Sequence, residues 1–324
     1  MEPPLSPLQA TGFLLASAAV LGNDALQTLG PFLAASHGRI PRPLQAAFLC
    51  SVLCIVLLWG WNVGGGDPAW GRLERFPPLE RFGWVDLLPP LAVLALTQLG
   101  APVSTSFLVL TAFSPSSLPE LLGRSLTGYG VALLAGALLY GSVGWRLESP
   151  AASEVPRSKL WLVVQWVATA WLWGQWLVQD LANLYVYLPR QLDGAAMSLT
   201  LAALCGGVCL LMAENGGAIQ GRIRSKSNVD DPRSSALIAA IYGLILFSLG
   251  QLSPQPLSTT WVFLGLLAGR ELALLARLGQ RSDGKVAGML AGDVFRSAVG
   301  LFVSVAVALA VPLLRSSAQD PGSA

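Results

Sequence analysis

The sequence predicts an all-α integral membrane protein built from two inverted-topology repeats, each with about three full crossings and one proline-broken re-entrant helical hairpin. Three observations support this fold class. Of the 324 residues, 53% are hydrophobic and only 12% are charged, which is about half the charged share of a soluble domain. Several apolar stretches reach about 20 residues, the length of a helix that crosses the hydrocarbon core. Polar motifs also recur in the same order in both halves of the chain.

The apolar stretches supply the crossings. The clearest are 44–63, 125–145, 196–213, 234–250 and 286–313. Two further runs, 8–35 and 160–189, are long enough but each contains an aspartate. The net charge of +2 is too small to indicate a nucleic-acid partner. The sequence therefore predicts a multi-pass protein of the cell (inner or plasma) membrane, surrounded by the lipid bilayer, and it leaves a homodimer open.

An internal repeat divides the chain. Cys205 follows Cys50 by 155 residues, and nearly the same spacing separates Asp24 from Asp180 and the hydroxyl run at 104–106 from that at 258–260. Three landmarks at one spacing and in one order indicate two homologous halves. Residues 1–150 and 151–324 are therefore predicted to be two membrane repeats of one transmembrane domain. The tail from about residue 315 is predicted to be disordered.

The orientation of the repeats follows from the number of crossings. With hairpins at 84–113 and 234–268, each half crosses the membrane three times, so the second half lies upside down relative to the first. If both termini lie outside, the loops left inside hold about twice as many Lys and Arg residues as the outside loops. That bias agrees with the positive-inside rule. The sequence therefore predicts two outside termini.

Two aspartates lie inside apolar runs, with amide residues beside them. A charge at the bilayer centre costs at least about 2.5–3.5 kcal/mol, so such a residue usually faces a cavity and has a partner. Carboxylate and amide oxygens on one helical face suit Na⁺ or a proton. The predicted coupling-ion residues are Asn23, Asp24, Gln27, Gln179, Asp180 and Asn183. The alternative is that each aspartate only caps a half-helix.

The second repeated motif is Pro-x-Ser-Thr-Ser/Thr, at 102–106 and 256–260. Proline breaks a helix, and Ser or Thr caps the start of a new one. A half-helix that begins at membrane depth turns free N–H groups and its positive dipole end into the protein. Two facing copies could enclose one small oxyanion, as broken helices do in transporters. The predicted anion-binding residues are Ser104, Thr105, Ser106, Ser258, Thr259 and Thr260.

These motifs carry a resemblance to a known family. GNDALQTLGP resembles the GANDVANSxG signature of the inorganic phosphate transporter family, and PVSTS and PLSTT resemble its PVSTTH motif. The family has both motifs in both halves, so the resemblance spans most of the chain. It implies a symporter of inorganic phosphate driven by Na⁺ or H⁺, with alternating access and the anion held between the two hydroxyl motifs. Some relatives carry sulfate instead.

The chain departs from the family pattern at several positions. Gln27 and Gln179 replace asparagines, and the histidine after the hydroxyl run is Phe107 in one half and Trp261 in the other. The chain thus resembles a compact and divergent member of this family. A sulfate permease, a membrane enzyme acting on a lipid phosphate, and a channel or inactive assembly protein stay open as alternatives. No cofactor and no metal other than Na⁺ is expected.

Overall fold

The computed structural model describes residues 6–78, 82–98, 103–147, 159–213, 231–253, 255–278 and 285–319. In the first half the helices are α1 (Pro7–Val20), a π-helical turn (Leu21–Ala25), α2 (Leu26–Ser36), α3 (Arg42–Val63), α4 (Leu88–Gln98), a second π-helical turn (Ser106–Leu110), α5 (Thr111–Phe113) and α6 (Leu118–Ser142). In the second half they are α7 (Lys159–Asp180), α8 (Ala182–Tyr185), α9 (Gly194–Ala213), α10 (Pro232–Leu252), α11 (Thr259–Leu278) and α12 (Lys285–Gln319).

The predicted all-α membrane fold is confirmed. In the described part of the chain, six helical stretches are long and apolar enough to cross a membrane. Five of them coincide with or overlap the clearest apolar runs of the sequence, and the sixth is Thr259–Arg277. The protein is therefore a multi-pass, helical membrane protein.

Large apolar side chains cover the outside of the bundle. Ile55 is 66% exposed, Val63 is 72% exposed and Phe302 is 74% exposed. Apolar patches of this kind mark a surface that is covered by something other than water. Such a surface suits a multi-pass membrane protein, while large side chains such as Tyr140 and Trp173 fill the interior.

The order of elements is the same in both halves. A long, interrupted helix comes first, a second long helix follows, and a helical hairpin precedes a last long helix. Within the first predicted hairpin, the described stretches Trp84–Gln98 and Ser106–Phe113 are helical, and the second stretch ends where Ser114 and Pro115 interrupt the helix. Residues 99–102, where the hairpin is predicted to turn, lie outside the described residues. The division at residue 150 falls in a segment outside the described residues. Both this division and the inversion of one half stay predictions.

The second hairpin is longer than the sequence indicates. The sequence places its end near residue 268, but α11 continues to Leu278. No proline follows Pro256 until Pro312, so nothing stops this helix at membrane depth. The tail that is predicted to be disordered from about residue 315 is helical as far as Gln319, where α12 ends, and its disorder beyond that residue stays a prediction. Arg315 anchors this end of α12 by donating to Asp86 Oδ1 at 2.5 Å.

Two glycines allow α11 to approach α6 of the other half. A Cβ atom at Gly265 would collide with the carbonyl of Tyr129, and one at Gly269 would collide with the carbonyl of Leu133. Small residues four positions apart allow such backbone contact between membrane helices. The second hairpin is therefore held against the first half of the chain, directly beside the site described below.

Candidate functional site

A π-helical turn presents Asp24 inside the first helix. The turn covers Leu21–Ala25, and such turns insert one extra residue into an α-helix, frequently at functional sites. Asp24 is 2% exposed and Asn23 is fully buried. Asp24 Oδ1 accepts hydrogen bonds from Asn23 Nδ2 at 2.8 Å and from Thr260 Oγ1 at 2.7 Å. Asp24 Oδ2 accepts a hydrogen bond from Thr105 Oγ1.

Asp180 occupies the corresponding place in the second half, at the last position of α7. Its side chain is as deeply buried as that of Asp24. Asp180 Oδ2 accepts from Thr259 Oγ1 at 2.6 Å, and Oδ1 accepts from Asn183 Nδ2 at 2.8 Å. Each carboxylate is thus bonded to the middle hydroxyl of the motif in its own half.

The first serine of each motif caps a helix. Ser104 Oγ accepts from the Phe107 N–H, and Ser258 Oγ accepts from the Trp261 N–H, both at 3.3 Å. The helix starts predicted from the Pro-x-Ser-Thr pattern are therefore present. Pro102 itself lies outside the described residues. These two serine oxygens are committed to the helix backbone, so the second and third hydroxyls are the groups that reach the carboxylates and amides.

The third hydroxyl of each motif reaches the other half of the chain. Thr260 donates to Asp24 of the first half. Its counterpart Ser106 accepts from Asn183 of the second half at 3.2 Å, and Thr105 accepts from the same Asn183 nitrogen at 3.3 Å. The two acidic segments and the two hydroxyl motifs therefore form one connected, buried network.

The side-chain amides also belong to this network, but three of their oxygens accept no hydrogen bond from a described residue. Gln27 Nε2 donates to Asn23 Oδ1 at 3.0 Å, and Gln179 Nε2 donates to the Leu246 carbonyl at 3.2 Å. No described residue donates a hydrogen bond to Gln27 Oε1, Gln179 Oε1 or Asn183 Oδ1. All three oxygens are buried carbonyl acceptors in the segments that carry the aspartates.

Phe107 and Trp261 are in contact with each other. The rings of Phe107 and Trp261 lie edge to face, with centroids 5.6 Å apart. They directly follow the two hydroxyl runs, so equivalent positions of the two halves are in contact. All twelve predicted site residues are buried, and the structure brings both sets into one region.

Other groups in this region were not singled out from the sequence. The Val103 carbonyl accepts from Asn23 Nδ2 at 2.7 Å. Ser125 Oγ accepts from the Ser258 N–H at 2.9 Å, and the Tyr242 hydroxyl donates to the Thr259 carbonyl at 2.8 Å. A main-chain carbonyl gives no sequence signal. In the sequence, Ser125 and Tyr242 look like ordinary members of apolar helices, and only their tertiary contacts connect them with the site.

Comparison with known proteins shows similarity at the level of fold. No protein-family model and no curated protein sequence matches the chain. A solved structure described as "The sodium-dependent phosphate transporter" superposes with a TM-score of 0.54, covering 94% of this chain and 96% of that one. The two sequences are 10% identical. The likeness shows that the chain has the fold of an all-α membrane transporter.

Proposed function

We propose that the protein is a secondary active transporter of inorganic phosphate, a symporter coupled to Na⁺ or H⁺. One observation carries the proposal: the two carboxylates and the hydroxyl motifs of both halves form a single buried network, in which Thr260 bonds to Asp24 across the halves. The fold supports it, because the structural neighbour is described as a sodium-dependent phosphate transporter.

The coupling cation is assigned to the two acidic segments. Buried carbonyl oxygens without a donor cost free energy, and the amide oxygens of Gln27, Gln179 and Asn183 are in that condition within the described structure. Together with the carboxylates of Asp24 and Asp180 they supply hard oxygen ligands of the kind that Na⁺ takes. Asp180 also ends a helix, where the dipole disfavours an anion and favours a cation.

The anion is assigned to the hydroxyl motifs. The start of α11 at Thr259 has backbone N–H groups without helical partners, and helix starts of this kind bind anions. The hydroxyls of Thr105, Ser106 and Thr260 add donors. Phosphate at neutral pH also donates hydrogen bonds, whereas sulfate only accepts them. Carboxylate oxygens that the cation leaves free can accept those hydrogen bonds, and this favours phosphate over sulfate.

The proposed coupling between cation and phosphate rests on the number of hydrogens that the threonine hydroxyls can donate. A threonine hydroxyl has one hydrogen to donate, and Thr105, Thr259 and Thr260 each donate it to an aspartate. A cation or proton on the carboxylates weakens that acceptor, so the hydrogens become available to an anion. We therefore expect the cation to bind first and to raise the affinity for phosphate.

Uptake by purified protein in liposomes tests the proposal. Phosphate should accumulate under an inward Na⁺ gradient or an inward proton gradient, arsenate should compete well, and sulfate should compete weakly. If sulfate competes more strongly than arsenate, the protein is instead a sulfate permease. Absence of uptake of either anion, with turnover of a lipid phosphate in the same liposomes, would contradict the transporter and favour the membrane enzyme.

A further inference from the structure

Arginine side chains of the first half hold the turn of the second hairpin. This hairpin turn consists of Ser253 and residues 255–258, between α10 and α11. Arg124 Nη1 donates to Ser253 Oγ at 3.0 Å and to the Gln255 carbonyl. Arg124 Nη2 donates to the carbonyls of Leu249 at 3.0 Å and Ser253 at 3.3 Å. Arg72 Nη1 donates to the same Gln255 carbonyl at 3.4 Å.

Three arginines of this region, Arg75, Arg124 and Arg72, are progressively more buried. At the rim, Arg75 pairs with Glu120 at 3.3 Å, and its side chain is 67% exposed. Arg124 is partly buried, and Arg72 is only 6% exposed. Burying a guanidinium inside a membrane protein is expensive, and such groups commonly mark the path of an ion or substrate.

The two inner arginines adjoin the proposed transport site. Arg124 directly precedes Ser125, whose hydroxyl accepts from the Ser258 N–H. Arg72 Nη2 and Gln179 Nε2 both pack on Gly250, at 3.0 and 2.5 Å from the position that a Cβ atom would take there. Arg72 therefore lies beside the segment that contains Asp180, and Arg124 lies beside the motif that contains Ser258.

The turn oxygens that Arg72 and Arg124 bind are neutral, although Arg72 is also attracted electrostatically by Asp180, and Arg124 by Glu120. They are the carbonyls of Leu249, Ser253 and Gln255 and one serine hydroxyl. A guanidinium binds an oxyanion in charge-assisted, often bidentate, hydrogen bonds, and the opposite charges add an attraction that a neutral carbonyl does not supply. An arriving oxyanion can therefore displace the turn carbonyls and loosen the turn that contains Ser258.

We propose that Arg72 and Arg124 form an outer anion site, which takes a tetrahedral oxyanion before it reaches the hydroxyl motifs and which exchanges its bonds to the hairpin turn for bonds to the anion. This inference rests on the proposed function and extends it, because neither residue belongs to the repeated motifs. The site supplies the positive charge that the hydroxyl motifs lack.

Two kinds of variant test this site: glutamine variants that remove the positive charge and a lysine variant that keeps it. Inorganic phosphate is the probe. Arg72→Gln and Arg124→Gln should each raise the apparent KM for phosphate uptake about tenfold, the effect of one charge-assisted hydrogen bond. Both should also weaken the dependence of uptake on ionic strength. Arg124→Lys keeps the charge but not the fork of donors, so its KM should stay within about threefold of wild type.

Arg190→Gln is the matched control for a purely structural role. Arg190 also donates to main-chain carbonyls, at Tyr185, Val186, Leu188 and Phe76, but it does not contact the hairpin turn. Its loss should lower the melting temperature and leave the KM unchanged. If Arg72→Gln and Arg124→Gln behave in the same way, the outer anion site is wrong and the arginines only support the turn. If wild-type protein neither binds nor transports phosphate, the transporter proposal fails together with it.

Discussion

Thr260 donates a 2.7 Å hydrogen bond to Asp24, although the two residues lie 236 positions apart in the chain. The bond joins the hydroxyl motif of one half to the acidic segment of the other. Asn183 makes the corresponding connection in the opposite direction through Ser106. A change at either acidic segment therefore alters hydrogen bonds of both hydroxyl motifs. The predictions below rest on this connection.

Replacing either aspartate should abolish gradient-driven uptake. Asp24→Asn and Asp180→Asn keep the side-chain shape but remove the negative charge that attracts the coupling cation. We expect phosphate accumulation to fall to the level of protein-free liposomes, with folding retained. Asp86→Asn is the control, because Asp86 is equally buried but bonds to Arg315 outside the site. It should lower the melting temperature and keep coupling. Wild-type accumulation in both site variants would mean that the aspartates are structural caps.

Removing the middle hydroxyl of either motif should weaken phosphate binding. Thr105→Val and Thr259→Val nearly keep the volume and remove one donor, and a hydrogen bond to a charged group contributes about 1.5–3 kcal/mol. The dissociation constant measured by calorimetry should rise about tenfold to a hundredfold. The double variant should be non-additive, because both hydroxyls serve one ligand.

Thr169→Val is the matched control for the hydroxyl variants. Thr169 is buried and donates to the Gln165 carbonyl of its own helix at 2.8 Å, so its removal should not change phosphate affinity. The helix-cap interpretation predicts a different pattern for Thr105→Val and Thr259→Val. Both would then melt at a lower temperature with unchanged affinity, and the assignment of the anion to these motifs would be wrong.

The contact between α6 and α11 predicts a stability effect at Gly269. A side chain there would collide with the Leu133 carbonyl, so Gly269→Leu must separate two helices of different halves. Overpacking of this kind costs about 1–3 kcal/mol, and the melting temperature in detergent should fall. Gly130→Ala on α6 is the control, because a Cβ atom there meets nothing within 4 Å. Equal melting curves for Gly269→Leu and wild type would contradict the packing described above.

The inverted arrangement makes a prediction about loops outside the described residues. The loop at 215–234 carries four Lys or Arg residues, most of them in the undescribed segment 214–230, and is predicted to face the cytoplasm. A cysteine placed in it should resist membrane-impermeant thiol reagents in intact cells, while one placed at Ser6 should react. The reverse labelling pattern would exclude the arrangement with both termini outside.

Much of the fold was predictable because local rules determine it. Apolar length locates the crossings, and proline followed by hydroxyl residues marks the helix starts capped by Ser104 and Ser258. The repeat spacing predicts that Asp24 and Asp180 are equivalent positions, and both carboxylates belong to the same hydrogen-bond network. The end of the second hairpin is the exception. It depends on the absence of helix-breaking residues in α11 and on the packing of α11 against α6.

The connections within the site were not predictable from local sequence. The bond between Thr260 and Asp24, and that between Asn183 and Ser106, depend on how the two halves face each other. In the sequence, Arg72 looks like an ordinary loop residue and Arg124 like an ordinary charged residue, because only the tertiary fold brings them to the Gln255 carbonyl. Short motifs identify the functional groups of the site, but they do not show which of these groups are in contact.

The dependence of phosphate affinity on the coupling cation tests the central claim most directly. Purified protein is titrated with phosphate in a calorimeter, with and without saturating Na⁺, and across a pH series without Na⁺. Because Thr105, Thr259 and Thr260 donate to carboxylates until a cation or proton takes that role, the affinity should rise about tenfold or more when the cation is supplied. A phosphate affinity that is the same at every Na⁺ concentration and every pH would contradict coupling through the shared hydroxyl groups.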